Sequence, residues 1–206
     1  MGFYRNRILP PLLDLAMRNQ LLTEYRARLI PAARGRVLEI GIGSGLNLPH
    51  YATRQIEELV GIDPNPGLLG RARRNLAGAG FPVELVEGSA EALPVADGQF
   101  DMAVVTWSLC SIPDPARALT ELRRVLRPGG TLLFAEHGLA PDRGVAWCQH
   151  ALTPLWRHCS GGCHLDRPVA RLIREAGFDL PELTEAYPEG GPPLIYMYEG
   201  RARVSG

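Results

Sequence analysis

Apolar residues near the N terminus recur at helical spacing. Polar residues separate them over positions 1–34, a pattern that predicts an amphipathic helical segment. The residues that carry the period are Leu12, Leu15, Met17, Leu21, Leu22, Tyr25 and Leu29. We interpret residues 1–35 as a helical cap that packs over the core or over the mouth of a site.

From residue 36 the pattern changes to short apolar runs separated by helical stretches. Two of these stretches begin with a proline, which is favoured at the first position of a helix. A turn signal at 127–130 ends the second of them. Near-continuous apolar strands that alternate with helices predict a parallel sheet covered on both faces. The strands are predicted at 37–40, 58–62, 83–87, 100–106 and 131–136, and the helices at 66–79 and 115–126.

The C-terminal part departs from this alternation. Only the turn-forming segment 188–193 separates the apolar runs 178–187 and 194–200, so we predict a terminal antiparallel pair. The expected fold class is therefore α/β. It is a Rossmann-like, seven-stranded, mostly parallel sheet with one antiparallel strand and helices on both faces. The cap at 1–35 and a domain over 36–206 would form one unit.

Composition and charge limit the kinds of partner and the cellular location that we expect for the chain. The 22 basic and 22 acidic residues cancel, so nucleic acid is not an expected partner. No run approaches the roughly 18 apolar residues of a membrane-spanning helix. Four cysteines without a secretory signal indicate reduced thiols and a cytoplasmic location. The Arg-rich N-terminal segment leaves peripheral membrane contact open. Nothing in the chain indicates an oligomeric state.

A glycine-rich turn follows the first predicted strand. Gly41, Gly43 and Gly45 let the backbone turn sharply and approach a ligand closely. Asp63 closes the second strand, where a carboxylate can accept hydrogen bonds from both hydroxyls of a ribose. Together these residues predict a ligand that contains adenosine.

The details of the turn separate two kinds of cofactor. A dinucleotide fold expects a small residue where this chain has Leu46, and its third glycine comes one position later. The turn also carries Glu39, which can orient it near a cationic group. These departures favour S-adenosylmethionine, which has an ammonium, a carboxylate and a sulfonium but no pyrophosphate. Asn47 is a candidate to hold the carboxylate.

Five motifs occur in the same order as in a known family. They are E-x-G-x-G-x-G at 39–45, I-D-P-N at 62–65, G-S-A-E at 88–91, F-D at 100–101 and L-R-P-G-G at 126–130. Together they resemble the class I S-adenosylmethionine-dependent methyltransferases. The resemblance implies that the adenine lies near Pro64 and Asn65 on one side and Ser89, Ala90 and Glu91 on the other. It also implies that Thr106 and Trp107 flank the reacting end of the cofactor.

A narrower resemblance extends into the C-terminal half. The segments 105–112, 134–137, 154–156, 162–163 and 176–178 look like those of the animal membrane-associated thiol methyltransferases. This resemblance implies a small-molecule acceptor, with a thiol as the first candidate. Phospholipid and quinone-precursor methyltransferases share only the first half and remain an alternative. A protein that binds the cofactor without turnover is an alternative of a different class, and a nicotinamide-dependent reductase is disfavoured by Leu46.

Two residues are candidates for catalysis. His137 follows the fifth predicted strand and could take the proton of a thiol, although a structural histidine bonded to backbone fits the same position. Cys110 lies on the acceptor side and could be a nucleophile or a small buried apolar residue. The cluster His158–His164 offers Cys159 and Cys163 as metal ligands, but its spacing is not a tight C-x-x-C knuckle, so we assign no metal. We expect Trp147 and Trp156 to form apolar wall or core.

Overall fold

A computed structural model describes residues 9–205. A seven-stranded sheet runs through it in the order β3-β2-β1-β4-β5-β7-β6. All strand pairs from β3 to β5 are parallel, and β7 is antiparallel to both β5 and β6. The strands are β1 (Gly35–Ile40), β2 (Ile56–Asp63), β3 (Val83–Glu87), β4 (Phe100–Thr106), β5 (Leu126–Gly138), β6 (Phe178–Ala186) and β7 (Tyr196–Val204). The predicted α/β fold with one antiparallel strand is confirmed.

Helices cover both faces of this sheet. The six α-helices of the described residues are α1 (Leu9–Met17), α2 (Gln20–Leu29), α3 (Pro66–Asn75), α4 (Pro115–Val125), α5 (Arg143–Cys159) and α6 (Val169–Glu175). Leu119 of α4 and Ile173 of α6 pack against the core of one face. Leu29 of α2 and Leu69 of α3 pack on the other face. The central strands β1, β2, β4 and β5 are therefore buried on both sides, as their apolar sequences predict.

The N-terminal segment forms two helices rather than one. The side chain of Asn19 accepts a hydrogen bond from the backbone N–H of Leu21 and caps α2, so the chain breaks between α1 and α2. Tyr25 and Leu29 of α2 are buried, and Arg28 pairs with Glu199 of β7. Arg5 and Arg7, which contribute to the basic character of this segment, lie outside the described residues.

Strand β5 begins earlier than expected. The predicted turn at 127–130 is instead a bulge inside the strand, because Phe100 pairs with Leu126 while Met102 pairs with Thr131. Gly129 takes a positive φ of 74° there. At the other end β5 continues to Gly138, so His137 lies within the strand and not after it.

Helix α5 differs from the expectation that its tryptophans form apolar wall or core. Its two buried residues are polar, Gln149 and Thr153. Trp147 is 71% exposed and Trp156 is 46% exposed, so neither tryptophan forms core. The side-chain amide of Gln149 donates to the carbonyl oxygens of Gly138 and Leu194, which anchors the helix through hydrogen bonds. The apolar side of α5 therefore faces outward.

Candidate active site

The glycine turn follows the carboxyl end of β1, and its backbone is hydrogen-bonded to Ile62 and Asp63 at the end of β2. Strand order reverses at this point, because β2 and β3 lie on one side of β1 and β4 lies on the other. A crevice at such a reversal is where open α/β sheets bind their ligands. Gly41, Gly43 and Gly45 all have positive φ, at 67°, 57° and 79°. A Cβ at Gly43 would contact only the carbonyl oxygen of Gly41, at 3.8 Å, so the turn is open to an incoming ligand there.

Asp63 is buried at the end of β2 and faces this turn. Its Oδ2 accepts a hydrogen bond from the backbone N–H of Gly43 at 3.0 Å, and its Oδ1 accepts one from that of Asn65 at 2.8 Å. Each carboxylate oxygen can accept a second hydrogen bond. Burial raises the pKa of Asp63 above its usual value. The carboxylate is thus held in place with acceptor capacity left for two hydroxyl groups.

Pro64 and Asn65 follow Asp63 into α3. Asn65 caps this helix, because its side-chain oxygen accepts from the backbone N–H groups of Gly67 and Leu68. Pro64 is exposed beside it. The structure therefore gives Asn65 a capping role that the sequence motif did not indicate.

A buried polar network joins β1 to the cap helices. Glu39 accepts hydrogen bonds from the side-chain amide of Asn47 at 2.9 Å and from the hydroxyl of Tyr51 at 2.7 Å. The same amide group also donates to Oγ1 of Thr106. Oδ1 of Asn47 accepts from Nε of Arg26 at 3.1 Å. Burial raises the pKa of Glu39 to about 7.

Arg26 of α2 is a site residue that the sequence did not reveal. It is 4% exposed and its guanidinium lies 4.7 Å above the ring centroid of Trp107. It forms no ion pair with any carboxylate among residues 9–205, although it lies in the same buried network as Glu39. Burial lowers the pKa of Arg26 to about 10. Its position in a basic helical segment, where most arginines are exposed, gave no sign of this.

The Ser89–Glu91 turn, which the motif predicts to border the adenine, follows β3. Ala90 is buried, and the hydroxyl of Ser89 donates to the carboxylate of Glu91 at 2.9 Å. The other carboxylate oxygen of Glu91 accepts from the backbone N–H of Asp114 at 2.7 Å. Glu91 therefore ties this turn to the start of α4.

The segment after β4 is strained. Trp107 has a φ of 48°, the only positive φ of a non-glycine residue among residues 9–205. Such a conformation costs roughly 1–3 kcal/mol and is concentrated at functional sites. The carboxylate of Glu136 holds the segment by accepting from the backbone N–H groups of Ser108 and Leu109 at 2.7 and 3.0 Å. Burial raises the pKa of Glu136 to about 7.

Cys110 and His137, the two predicted catalytic residues, meet at the carboxyl edge. Sγ of Cys110, Sγ of Cys163 and a ring nitrogen of His137 all lie within 4.8 Å of one another. Nε2 of His137 is 3.1 Å from Sγ of Cys163. All three side chains are buried. We refer to them as the Cys110–His137–Cys163 cluster. The sequence does not predict the partnership with Cys163, because Cys163 lies beside other candidate ligands in the segment 158–164.

The residues of the 158–164 segment do not gather around a common point. Nδ1 of His158 lies 2.7 Å from the carbonyl oxygen of Pro154, while His164 faces Asp166 at 3.8 Å. Cys159 is exposed. Within residues 9–205 only Cys163 of this segment belongs to a group of donors close enough to share an ion.

Comparison with known proteins shows the family to which the chain belongs. A family model described as a methyltransferase domain matches residues 38–134. Thiol S-methyltransferase TMT1B from Rattus norvegicus is 35% identical over 71% of this chain, and the match spans 61% of the rat protein. The Homo sapiens protein of the same name is 30% identical over 89% of this chain and 74% of its own length. Phosphatidylethanolamine N-methyltransferase from Cereibacter sphaeroides is 34% identical over 78% of both chains.

The chain belongs to the class I S-adenosylmethionine-dependent methyltransferases. A crystal structure of such a methyltransferase from Thermotoga maritima shares the fold, with a TM-score of 0.65, 23% identity and coverage of 99% of both chains. Members of this family use S-adenosylmethionine. No helix among the described residues is long and apolar enough to cross a membrane.

Proposed function

We propose that this methyltransferase transfers a methyl group from S-adenosylmethionine to the sulfur of a small thiol. The Cys110–His137–Cys163 cluster is the observation that carries the proposal. It places two thiols and an imidazole together at the carboxyl edge of β4 and β5. These groups are soft and weakly polar, and they suit a sulfur acceptor better than a strongly solvated cationic amine. The thiol S-methyltransferase relatives support the same acceptor class.

We propose that the residues predicted from the sequence bind S-adenosylmethionine. Gly41, Gly43 and Gly45 would hold the methionine part, and the free acceptor capacity of Asp63 suits the two ribose hydroxyls. Pro64, Asn65, Ser89, Ala90 and Glu91 would border the adenine. The cofactor supplies a methyl group that its sulfonium already activates, so the protein mainly has to position the acceptor.

Arg26 adds a partner for the methionine carboxylate. A buried guanidinium without an ion pair is costly, because burial removes its hydration without supplying a counter-charge. Arg26 lies against Asn47 and Trp107, next to the glycine turn. A carboxylate at this position would compensate the buried charge. We therefore assign to Arg26 the carboxylate contact, with Asn47 connecting it to Glu39 and Thr106.

A second acceptor class has its own support. The phosphatidylethanolamine N-methyltransferase relative matches most of this chain. In addition, Trp147, Leu155 and Trp156 give α5 an exposed apolar side, and tryptophan is favoured where a protein meets a lipid surface. Methylation of a phospholipid headgroup during peripheral membrane contact is therefore the alternative. A cytoplasmic location remains part of the proposal, because the cluster needs reduced thiols.

The test is a comparison of acceptor classes. The protein is incubated with methyl-labelled S-adenosylmethionine and, separately, with small thiols, amines, hydroxyl compounds and phosphatidylethanolamine vesicles. We expect label in the thiols. Label in the lipid with none in the thiols would replace the thiol proposal by the phospholipid one. Cofactor affinity by calorimetry without transfer to any acceptor would indicate a binding protein without turnover.

A further inference from the structure

The Cys110–His137–Cys163 cluster has the composition of a metal site. We propose that these three side chains bind a zinc-class, thiophilic divalent cation, and that its open fourth position takes the sulfur of the thiol acceptor. The inference rests on the proposed function for the identity of the acceptor. The binding of the cation itself rests only on the cluster.

The donor set is the first argument. Two thiolates and an imidazole are ligands that Zn²⁺ prefers, and three protein ligands with one open position are typical of catalytic zinc. Around a tetrahedral ion with bonds of about 2.0–2.3 Å, neighbouring ligand atoms stand roughly 3.4–3.8 Å apart. The donor atoms of the cluster already lie within 4.8 Å of one another, and the His137–Cys163 contact of 3.1 Å needs to lengthen by only a few tenths of an ångström.

The backbone around the cluster is the second argument, because it holds the donors before any ion binds. His137 lies in β5, and Cys110 lies in the segment that Glu136 fastens to that strand. Cys163 comes from the loop between α5 and α6. The backbone N–H of His164 fastens this loop by donating to the carbonyl oxygen of Cys110 at 2.8 Å.

Unpartnered polar atoms are the third argument. Among residues 9–205, three buried side-chain polar atoms lack a hydrogen-bond partner: Nε1 of Trp107, Oε2 of Glu136 and Nδ1 of His137. Buried polar atoms are nearly always paired in folded proteins. Nδ1 of His137 belongs to the cluster and Oε2 of Glu136 to its neighbour in β5, so unused bonding capacity lies at the cluster itself. The indole N–H of Trp107 is a donor and does not bear on the cation.

The cation would promote deprotonation of the acceptor thiol, a step that the residues holding the cofactor do not perform. A thiol bound to a divalent cation loses its proton, here to solvent, and remains as a thiolate. The acceptor sulfur then forms a bond to the methyl carbon while the bond from that carbon to the sulfonium sulfur breaks. The electron pair stays on the cofactor sulfur, and the products are the methyl thioether and S-adenosylhomocysteine. In this scheme His137 acts as a ligand.

The experiment uses Co²⁺ as a spectroscopic substitute for Zn²⁺. The whole protein, kept reduced by a phosphine and freed of metal by a chelator, is titrated with Co²⁺. We expect one ion per chain, a thiolate-to-cobalt charge-transfer band and the intense visible bands of tetrahedral cobalt. Adding 2-mercaptoethanol without S-adenosylmethionine should change the visible bands, since the acceptor enters the fourth position. Zn²⁺ should displace the cobalt.

Variants assign the ligands. Cys110→Ser and Cys163→Ser should each weaken cobalt binding at least tenfold, whereas Cys148→Ser, which changes a cysteine outside the cluster, should bind like the original protein. Retained S-adenosylmethionine affinity in each variant shows that it is folded. Equal cobalt binding by all three variants, or no cobalt binding by the reduced original protein, would overturn the proposal.

Assays of thiol methylation then distinguish failure of the metal-site proposal from failure of the proposed function. A thiol-responsive cobalt spectrum without any methylated thiol would support the metal site and contradict the proposed activity. Undiminished thiol methylation by the metal-free protein would contradict the role of the cation while the proposed activity stands.

Discussion

Arg26 shows how a single buried charge can indicate a ligand. S-adenosylmethionine carries a carboxylate that 5′-methylthioadenosine lacks. Arg26→Met should therefore weaken S-adenosylmethionine binding about tenfold, or about 1.4 kcal/mol, and leave the binding of 5′-methylthioadenosine unchanged. Calorimetry with both ligands measures this difference.

The matched control is Arg28→Met. Arg28 lies in the same helix, but it is exposed and pairs with Glu199, so its loss should affect neither ligand. Equal weakening of both ligands by Arg26→Met would mean that Arg26 supports the fold of the site and does not contact the carboxylate.

Glu39 predicts a dependence of stability on pH. Burial raises its pKa from 4.5 to about 7. Between these values the folded protein keeps a proton that the unfolded chain has lost, so stability falls as pH rises through this window. Glu39→Gln cannot titrate. The free energy of unfolding of the variant minus that of the original protein should therefore rise from about pH 5 to about pH 8.

Urea unfolding at several pH values provides the measurement. Glu136, whose pKa burial also raises to about 7, is present in both proteins and cancels in the difference. A difference that stays constant across the window would show that Glu39 does not carry a raised pKa.

At the scale of elements, the cap helices are fastened to the cofactor turn. Asp14 of α1 is buried and accepts hydrogen bonds from Ser44, beside Gly45, and from Arg71 of α3. Asp14→Ala leaves the buried hydroxyl of Ser44 without its partner. We expect the free energy of unfolding to fall by about 1–3 kcal/mol.

Glu24→Ala is the control for this prediction. Glu24 is exposed on α2 and accepts a hydrogen bond from the exposed side chain of Gln20, so its removal should change stability by no more than about 0.5 kcal/mol. Urea unfolding of both variants makes the comparison. Similar losses would mean that α1 is not anchored through Asp14.

The elements also show which sequence signals are reliable. The central parallel strands were predictable because they are nearly continuous apolar runs, and the β6–β7 pair because no helix separates its strands. The break between α1 and α2 was missed, since the apolar period continues through Asn19. The prediction that the tryptophans of α5 form core was wrong. Apolar residues at helical spacing show that a helix has an apolar side, but the spacing does not show whether that side packs on the sheet or faces solvent.

At the scale of the whole molecule, the missed features are contacts between distant parts of the chain. Cys110 and Cys163 are separated by 53 positions, and Arg26 reaches Asn47 from another element. Such pairs depend on how helices and loops pack on the sheet, and local patterns carry no information about them. The glycine turn and Asp63 were predictable because strand ends in a parallel sheet meet at one edge.

That meeting of strand ends supports the central claim, that the carboxyl edge holds S-adenosylmethionine with Asp63 on its ribose. The most direct test is calorimetry of S-adenosylmethionine binding to Asp63→Ala, with Glu84→Ala as a control for an exposed acid on the neighbouring strand. We predict at least a tenfold loss of affinity, about 1.4 kcal/mol, for Asp63→Ala and none for Glu84→Ala. Unchanged affinity in a folded Asp63→Ala protein would contradict the assignment of the ribose to Asp63.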